Sequence, residues 1–167
     1  MARLLMPMSM LSLLSIGAIF GFFYAWICST MWGLDATQPK VAITAMQAMN
    51  ASVRNPVFFP AFFLTPVILA VTAFIAANQN LMRAAVLFFA GGALYFVGAL
   101  LVTALVNVPM NEALAQVTVP EDSDAAQDIW QAYSAPWQFW NTLRTIASGG
   151  ALVLTGLAIF SLRSKAA

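Results

Sequence analysis

Three short stretches bring together side chains that could act on a ligand. AMQAMNASVR spaces Gln47, Asn50 and Arg54 by three and four residues, which puts them on one face of a helix. NVPMNEAL places Asn107 and Asn111 four apart, with Glu112 next to Asn111 and Pro109 loosening the backbone between the two asparagines. WQFWNTLR stacks Trp137, Trp140, Asn141 and Arg144 along a third face. Guanidinium groups stabilise an anion, carboxamides orient carbonyl or hydroxyl groups, and indole rings supply a flat apolar wall. Such a set suits an aromatic, phenolic or quinonoid molecule, and it could hold developing negative charge on an enolate or phenolate without a metal.

Other chemistry is excluded by the inventory. The chain has no histidine, so His-ligated haem, His-based zinc sites and His-assisted nucleophilic catalysis are absent. Cys28 is the single cysteine and cannot form an internal thiol pair; it reads as a small packing residue. No phosphate loop or dinucleotide fingerprint occurs, and nothing points to nucleic acid. No carboxylate lies inside an apolar run, as a proton-relay transporter would require. The nine methionines read as packing filler in so apolar a chain rather than as a copper(I) site. A metal held by carboxylates and amides stays open.

The elements that must position these groups are membrane helices. Of 167 residues, 62% are hydrophobic and 8% charged, far from the roughly one-quarter charged residues of soluble domains. Charge-free intervals run from Arg3 to Asp35, Arg54 to Arg83, Arg83 to Glu112 and Arg144 to Arg163, each able to supply a span of about 20 residues. The expected fold is all-α: a transmembrane four-helix bundle forming a single domain over residues 1–167, with spans near 8–33, 56–77, 81–108 and 137–162. A short amphipathic helix beginning at Pro39 is expected after the first span, and a structured acidic loop, VPEDSDAAQD, before the fourth. The first apolar run is too long for a signal-peptide core and reads as an uncleaved span. Gly17, Gly21 and Ala25, four apart, form a small-residue stripe that permits close helix contact. Gly91 and Gly98 flank Tyr95, and Gly149 and Gly156 repeat the spacing of seven.

One end of this bundle collects Arg3, Arg83, Arg163 and Lys165 without an acid; the other collects Lys40, Arg54, Arg144 and all six acids. The basic end is expected to be cytoplasmic, with both termini, in an inner or plasma membrane. All three polar clusters belong to the opposite end. A tryptophan belt, a snorkelling arginine and helix-capping asparagines are the plain structural alternative. It suits Trp137, at the expected helix start. Arg144, seven residues further and about 10 Å deeper, is expected to face the bundle. Tyr24 and Tyr95 carry hydroxyls that need partners inside the bundle and are added as secondary candidates.

In this order, GFFYAW, AMQAMN, RNPVF, NVPMNEAL and WQFWNTLR resemble the anthrone oxygenase-like family of small four-helix membrane proteins, over most of the chain from Gly21 to Arg144. The resemblance implies insertion of oxygen at a doubly activated methylene carbon, with O₂ as co-substrate and no recognised cofactor. Under that activity Arg144 and Arg54 would stabilise the anion, Asn107, Asn111 and Asn141 would orient it, Trp140 would stack on it, and Glu112 would be the base. Gln47, Asn50 and Tyr24 would complete the substrate contacts. The expected partners are the lipid bilayer and a lipophilic aromatic or quinone; a homo-oligomer or a partner in a membrane complex stays open. The competing expectation is a quinone- or lipid-binding protein, or an accessory subunit, that uses the same pocket without turnover.

Overall fold

The structure, a computed structural model, describes residues 2–163, with side chains from Leu4 to Leu162. Helices supply all the regular structure among the described residues. Four of them are long and apolar enough to cross a membrane: Leu4–Asp35, Phe58–Ala77, Met82–Ala115 and Ser123–Leu162. They are called the first to fourth spans below. Their outward faces are apolar, with Leu105 72% and Phe160 71% exposed, as a lipid-facing surface requires. The chain is an integral membrane protein whose helices contact the bilayer. Arg3, Arg163 and Lys165, on which the expected orientation partly rests, lie outside the described side chains.

The connecting helix Pro39–Ser52 begins where Pro39 predicts, with Gln38 extended before it. Asn55 starts the second span: its Oδ1 accepts the Val57 and Phe58 N–H groups, both at 2.9 Å. The NQN turn closes on Asn80, whose φ of 57° is the left-handed conformation that ends a helix, and the Leu81 N–H reaches back to Ala76 O at 3.1 Å.

The largest departure from expectation is the start of the fourth span. The acidic segment is irregular only up to Asp122, and the helix runs from Ser123 straight through Pro136. Asp122 caps it, accepting the Asp124 and Ala125 N–H groups at 3.4 and 3.3 Å. A proline inside a helix costs about 3 kcal/mol. Here the helix persists because Trp130, Tyr133 and Trp137, on both sides of Pro136, are buried together against Met31, Ile43, Met46 and Leu114. At 1.5 Å per residue the fourth span is about 60 Å long, twice the hydrocarbon thickness. Its first half therefore forms a cap with the connecting helix and the ends of the first and third spans.

Polar ties hold this cap to the bundle. Asp35, at the end of the first span, accepts from Trp130 Nε1 at 2.9 Å, Ser134 Oγ at 2.7 Å and Gln138 Nε2 at 2.8 Å. Lys40 bonds the carbonyl of Glu121.

Close packing in the bundle falls between the third and fourth spans. A Cβ at Gly98 would lie 2.5 Å from Ala147 Cβ, and one at Gly91 would lie 3.2 Å from Ala151 O. The stripe expected on the first span is not used in this way: Gly21 is exposed with nothing within 4 Å, and Gly17 only reaches Leu152 Cδ1 at 4.0 Å. Gly156 likewise faces open space.

Candidate functional site

Arg144 is the centre of the site. It lies mid-way along the fourth span, 21 residues from Ser123 or about 32 Å along the axis, rather than near a helix start. Its surface is 4% exposed. The guanidinium carbon stands 4.7 Å from the Phe23 ring centroid and 5.3 Å from that of Trp137. One terminal nitrogen donates to Thr103 Oγ1 at 3.1 Å and the other to Asn141 Oδ1 at 2.9 Å. Asn141 is held in turn by its Nδ2, which donates to Phe23 O at 3.1 Å. The ion pairs among the described residues, Lys40–Glu121 and Arg54–Glu112, leave Arg144 out. It is thus a buried cation supported by neutral acceptors and ring faces, with its Nε unpartnered among the described residues.

The backbone of the third span is what brings Thr103 to Arg144. This helix widens to π-helical turns over Phe96–Leu101 and Thr103–Asn107. In a regular α-helix, residues four apart drift by about 40° per step, so a row of four would wind through about 120° and leave the inward face. The wider turns cancel that drift, and Tyr95, Ala99, Thr103 and Asn107 stay directed inward, with Tyr95, Ala99 and Asn107 at most 1% exposed. A similar π-helical turn, Trp26–Thr30, follows Phe23 in the first span.

A cavity of about 230 Å³ opens beside the guanidinium. Phe22, Phe23 and Trp26 wall it from the first span, and Phe58, Phe59, Phe62 and Phe63 from the second. Asn50, Arg54, Thr103, Asn111, Trp137 and Arg144 supply its polar rim. Phe59 and Phe63 are 40% and 49% exposed on the outer face, so this wall borders lipid. Asn50, Arg54 and Asn111 also line an adjoining cleft of about 320 Å³ with Gln47, Glu112 and Gln116. The cavity therefore lies between lipid on one side and a polar mouth on the other.

The sequence-predicted residues divide accordingly. Asn50, Arg54, Asn111 and Arg144 meet at the cavity, and Asn141 supports Arg144 from behind. Glu112 sits in the outer cleft, where its carboxylate pairs with Arg54 at 3.0 Å. Gln47 is a clasp, its Nε2 donating to Leu114 O and Val117 O at 2.9 Å each. Asn107 is buried and does not line the cavity, with neither carboxamide atom partnered among the described residues. Tyr24 is 50% exposed and stacks on Phe20 at 5.7 Å, away from the cavity. Trp140 packs edge-on against Phe139 at 5.3 Å and does not line it either. Tyr95 is spent on packing, its hydroxyl donating to Phe62 O at 2.8 Å.

Trp137 corrects the interface-belt expectation: it is 3% exposed and forms part of the wall. Its Nε1 donates to Asn111 Oδ1 at 2.9 Å, and the Tyr133 hydroxyl donates to the same oxygen at 2.8 Å. Tyr133, Thr103 and Phe23 were not singled out by the sequence. Thr103 had a signal, four residues before Asn107 and eight before Asn111. Tyr133 was hidden because the fourth span was expected to start only at residue 137, and Phe23 by the absence of a polar side-chain atom.

Fold and site together define a small four-helix integral membrane protein with a lipid-bordered aromatic cavity around a buried arginine. The family model for anthrone oxygenase matches residues 53–154, and the chain belongs to the anthrone oxygenase family. The matched segment contains Arg54, Thr103, Asn111, Trp137, Asn141 and Arg144 and stops short of Asn50 and Phe23. Searches of curated proteins and of solved structures each return no match.

Proposed function

We propose that the protein is an oxygenase that takes a lipophilic aromatic substrate of the anthrone type from the bilayer and stabilises its conjugate anion at Arg144. The observation that carries this reading is the buried guanidinium: 4% exposed, flanked by two aromatic rings and outside every ion pair among the described residues. A dry cation of this kind binds an enolate or phenolate oxygen far more strongly than it would in water.

In this reaction an activated CH₂ loses a proton, and its carbanion gives electrons to O₂ to form a hydroperoxide. Loss of water then leaves a ketone, so CH₂ and O₂ become C=O and H₂O. Arg144 holds the oxyanion conjugated to the carbanion, with Thr103 and Asn141 fixing the guanidinium plane. Asn111 and Asn50 orient the substrate oxygens. The proton leaves through the polar cleft, where Glu112, held by Arg54, is the acceptor. No bound cofactor is needed for these steps. The membrane is an inner or plasma membrane, with both termini cytoplasmic and the polar mouth facing outward.

One observation favours a binding role without turnover: no carboxylate is among the residues lining the cavity itself. The two readings separate in one experiment. Purified protein is incubated with anthrone and O₂, and anthraquinone is followed by absorbance in wild type and Arg144→Ala. The oxygenase reading expects a wild-type rate well above background and a loss of about a hundredfold or more in the variant. A wild-type rate at background, with a co-purifying quinone or lipid seen by mass spectrometry, would establish the binding role instead.

A further inference from the structure

The hydrogen-bond network behind the cavity has a fixed polarity, and this decides what the cavity can recognise. An indole N–H only donates. Trp137 Nε1 lies 2.9 Å from one terminal atom of the Asn111 carboxamide, so that atom is the oxygen. The Tyr133 hydroxyl, 2.8 Å from the same oxygen, must spend its proton there. Tyr133 can then only accept from Asn50, 3.3 Å away, so the Asn50 atom facing it is the amide nitrogen. Two groups remain with no partner among the described residues: Asn111 Nδ2, a donor, and Asn50 Oδ1, an acceptor. Both side chains line the cavity beside Arg144.

We propose that the site selects its ligand through a hydrogen-bond donor: Asn50 Oδ1 accepts an O–H of the ligand, while Arg144 and Asn111 Nδ2 hold its carbonyl or enolate oxygen. The inference rests on the reading that the cavity binds a lipophilic aromatic, and it narrows that class to ring ketones bearing a free hydroxyl. Asn50 is the specificity-determining residue. Tyr133 and Trp137 are positioning residues that act through Asn50 and Asn111. Against the phenylalanine walls of the cavity, a ligand without the O–H offers the Asn50 oxygen no donor, which sets the discrimination between otherwise similar ligands.

The test uses two probes of nearly equal size, 2-hydroxyanthraquinone and 2-methylanthraquinone, of which only the first can donate. Their affinities for the full-length protein in lipid nanodiscs are measured by quenching of tryptophan fluorescence, with no turnover required. Wild type should prefer the hydroxyl probe by about tenfold or more. Tyr133→Phe frees the Asn50 carboxamide to turn, so the preference should fall towards parity while affinity for the methyl probe is kept. Asn50→Leu should erase the preference as well, and it covers the case in which Tyr133→Phe does not fold. Arg144→Met should weaken both probes together. Equal wild-type affinities overturn the donor rule alone, as does a Tyr133→Phe protein that keeps the preference or weakens both probes equally. If neither probe binds wild type, the aromatic-ligand reading itself is overturned, and the donor rule with it.

Discussion

The guanidinium of Arg144 lies 4.7 Å over the ring of Phe23, whose own backbone carbonyl accepts from Asn141, the residue that orients the arginine. One residue of the first span thus supports Arg144 twice, through its ring face and through its carbonyl. Cation–π contact of this kind is worth about 1–2 kcal/mol when desolvated, less than burying an unpaired cation costs. On the proposed function, this arrangement serves binding rather than stability.

Removal of the charge should show this directly. Arg144→Met is expected to leave thermal stability unchanged or raised by about 1–2 kcal/mol, while turnover or ligand affinity collapses. Arg144→Lys should not rescue function, because an ammonium cannot lie flat on Phe23 while donating to both Thr103 and Asn141. Thermal melts in detergent beside a ligand titration decide it; a large drop in melting temperature for Arg144→Met would show that the charge serves the fold.

Gly98 sets the distance between the third and fourth spans. Its missing Cβ would meet Ala147 Cβ at 2.5 Å, and neither atom can swing away. Gly98→Ala should destabilise by about 1–3 kcal/mol and weaken ligand binding by moving Thr103 off Arg144. Gly156→Ala, which meets nothing within 4 Å, is the control and should be neutral or slightly stabilising. Denaturation midpoints of the two variants should therefore separate clearly.

Asp35 gathers three donors from one face of the fourth span. Asp35→Ala leaves the Trp130 and Ser134 donors without their acceptor in a part-buried setting, so a loss of about 2–3 kcal/mol is expected. Hydrogen exchange should show the loss concentrated in residues 123–136 and the connecting helix. Uniform deprotection along all four spans would contradict the latch role.

Asn107 is 1% exposed, and neither atom of its carboxamide has a partner among the described residues. Replacing such a group by an apolar one of similar shape is close to neutral or stabilising. Asn107→Leu is expected to stay within about 1 kcal/mol of wild type in thermal stability. A loss above about 2 kcal/mol would show that the carboxamide is bonded within the fold.

The spacing of polar residues on helical faces was legible because it depends on helix geometry alone. Asn50, Arg54, Asn111 and Arg144 do meet at one cavity. The same local rule could not say how each helix is rotated against its neighbours. Tyr24 and Trp140 fit an aromatic stripe as well as Trp137 does, yet only Trp137 turns inward, because the burial that decides this comes from another helix. Glu112 is adjacent in sequence to Asn111 but points into the outer cleft, since successive helix positions differ by about 100°.

The sequence by itself determined that the chain is an integral membrane protein of four apolar helices with a polar group of residues gathered at one end. Hydrophobic length and helical period suffice for that. Only the tertiary structure decided that Pro136 does not end a helix, that the third span widens to keep Thr103 on Arg144, and that Trp137 and Tyr133 fix the polarity of Asn111 and Asn50. Each of these depends on contacts between residues far apart in the chain, whose burial outweighs the local preferences that the sequence displays.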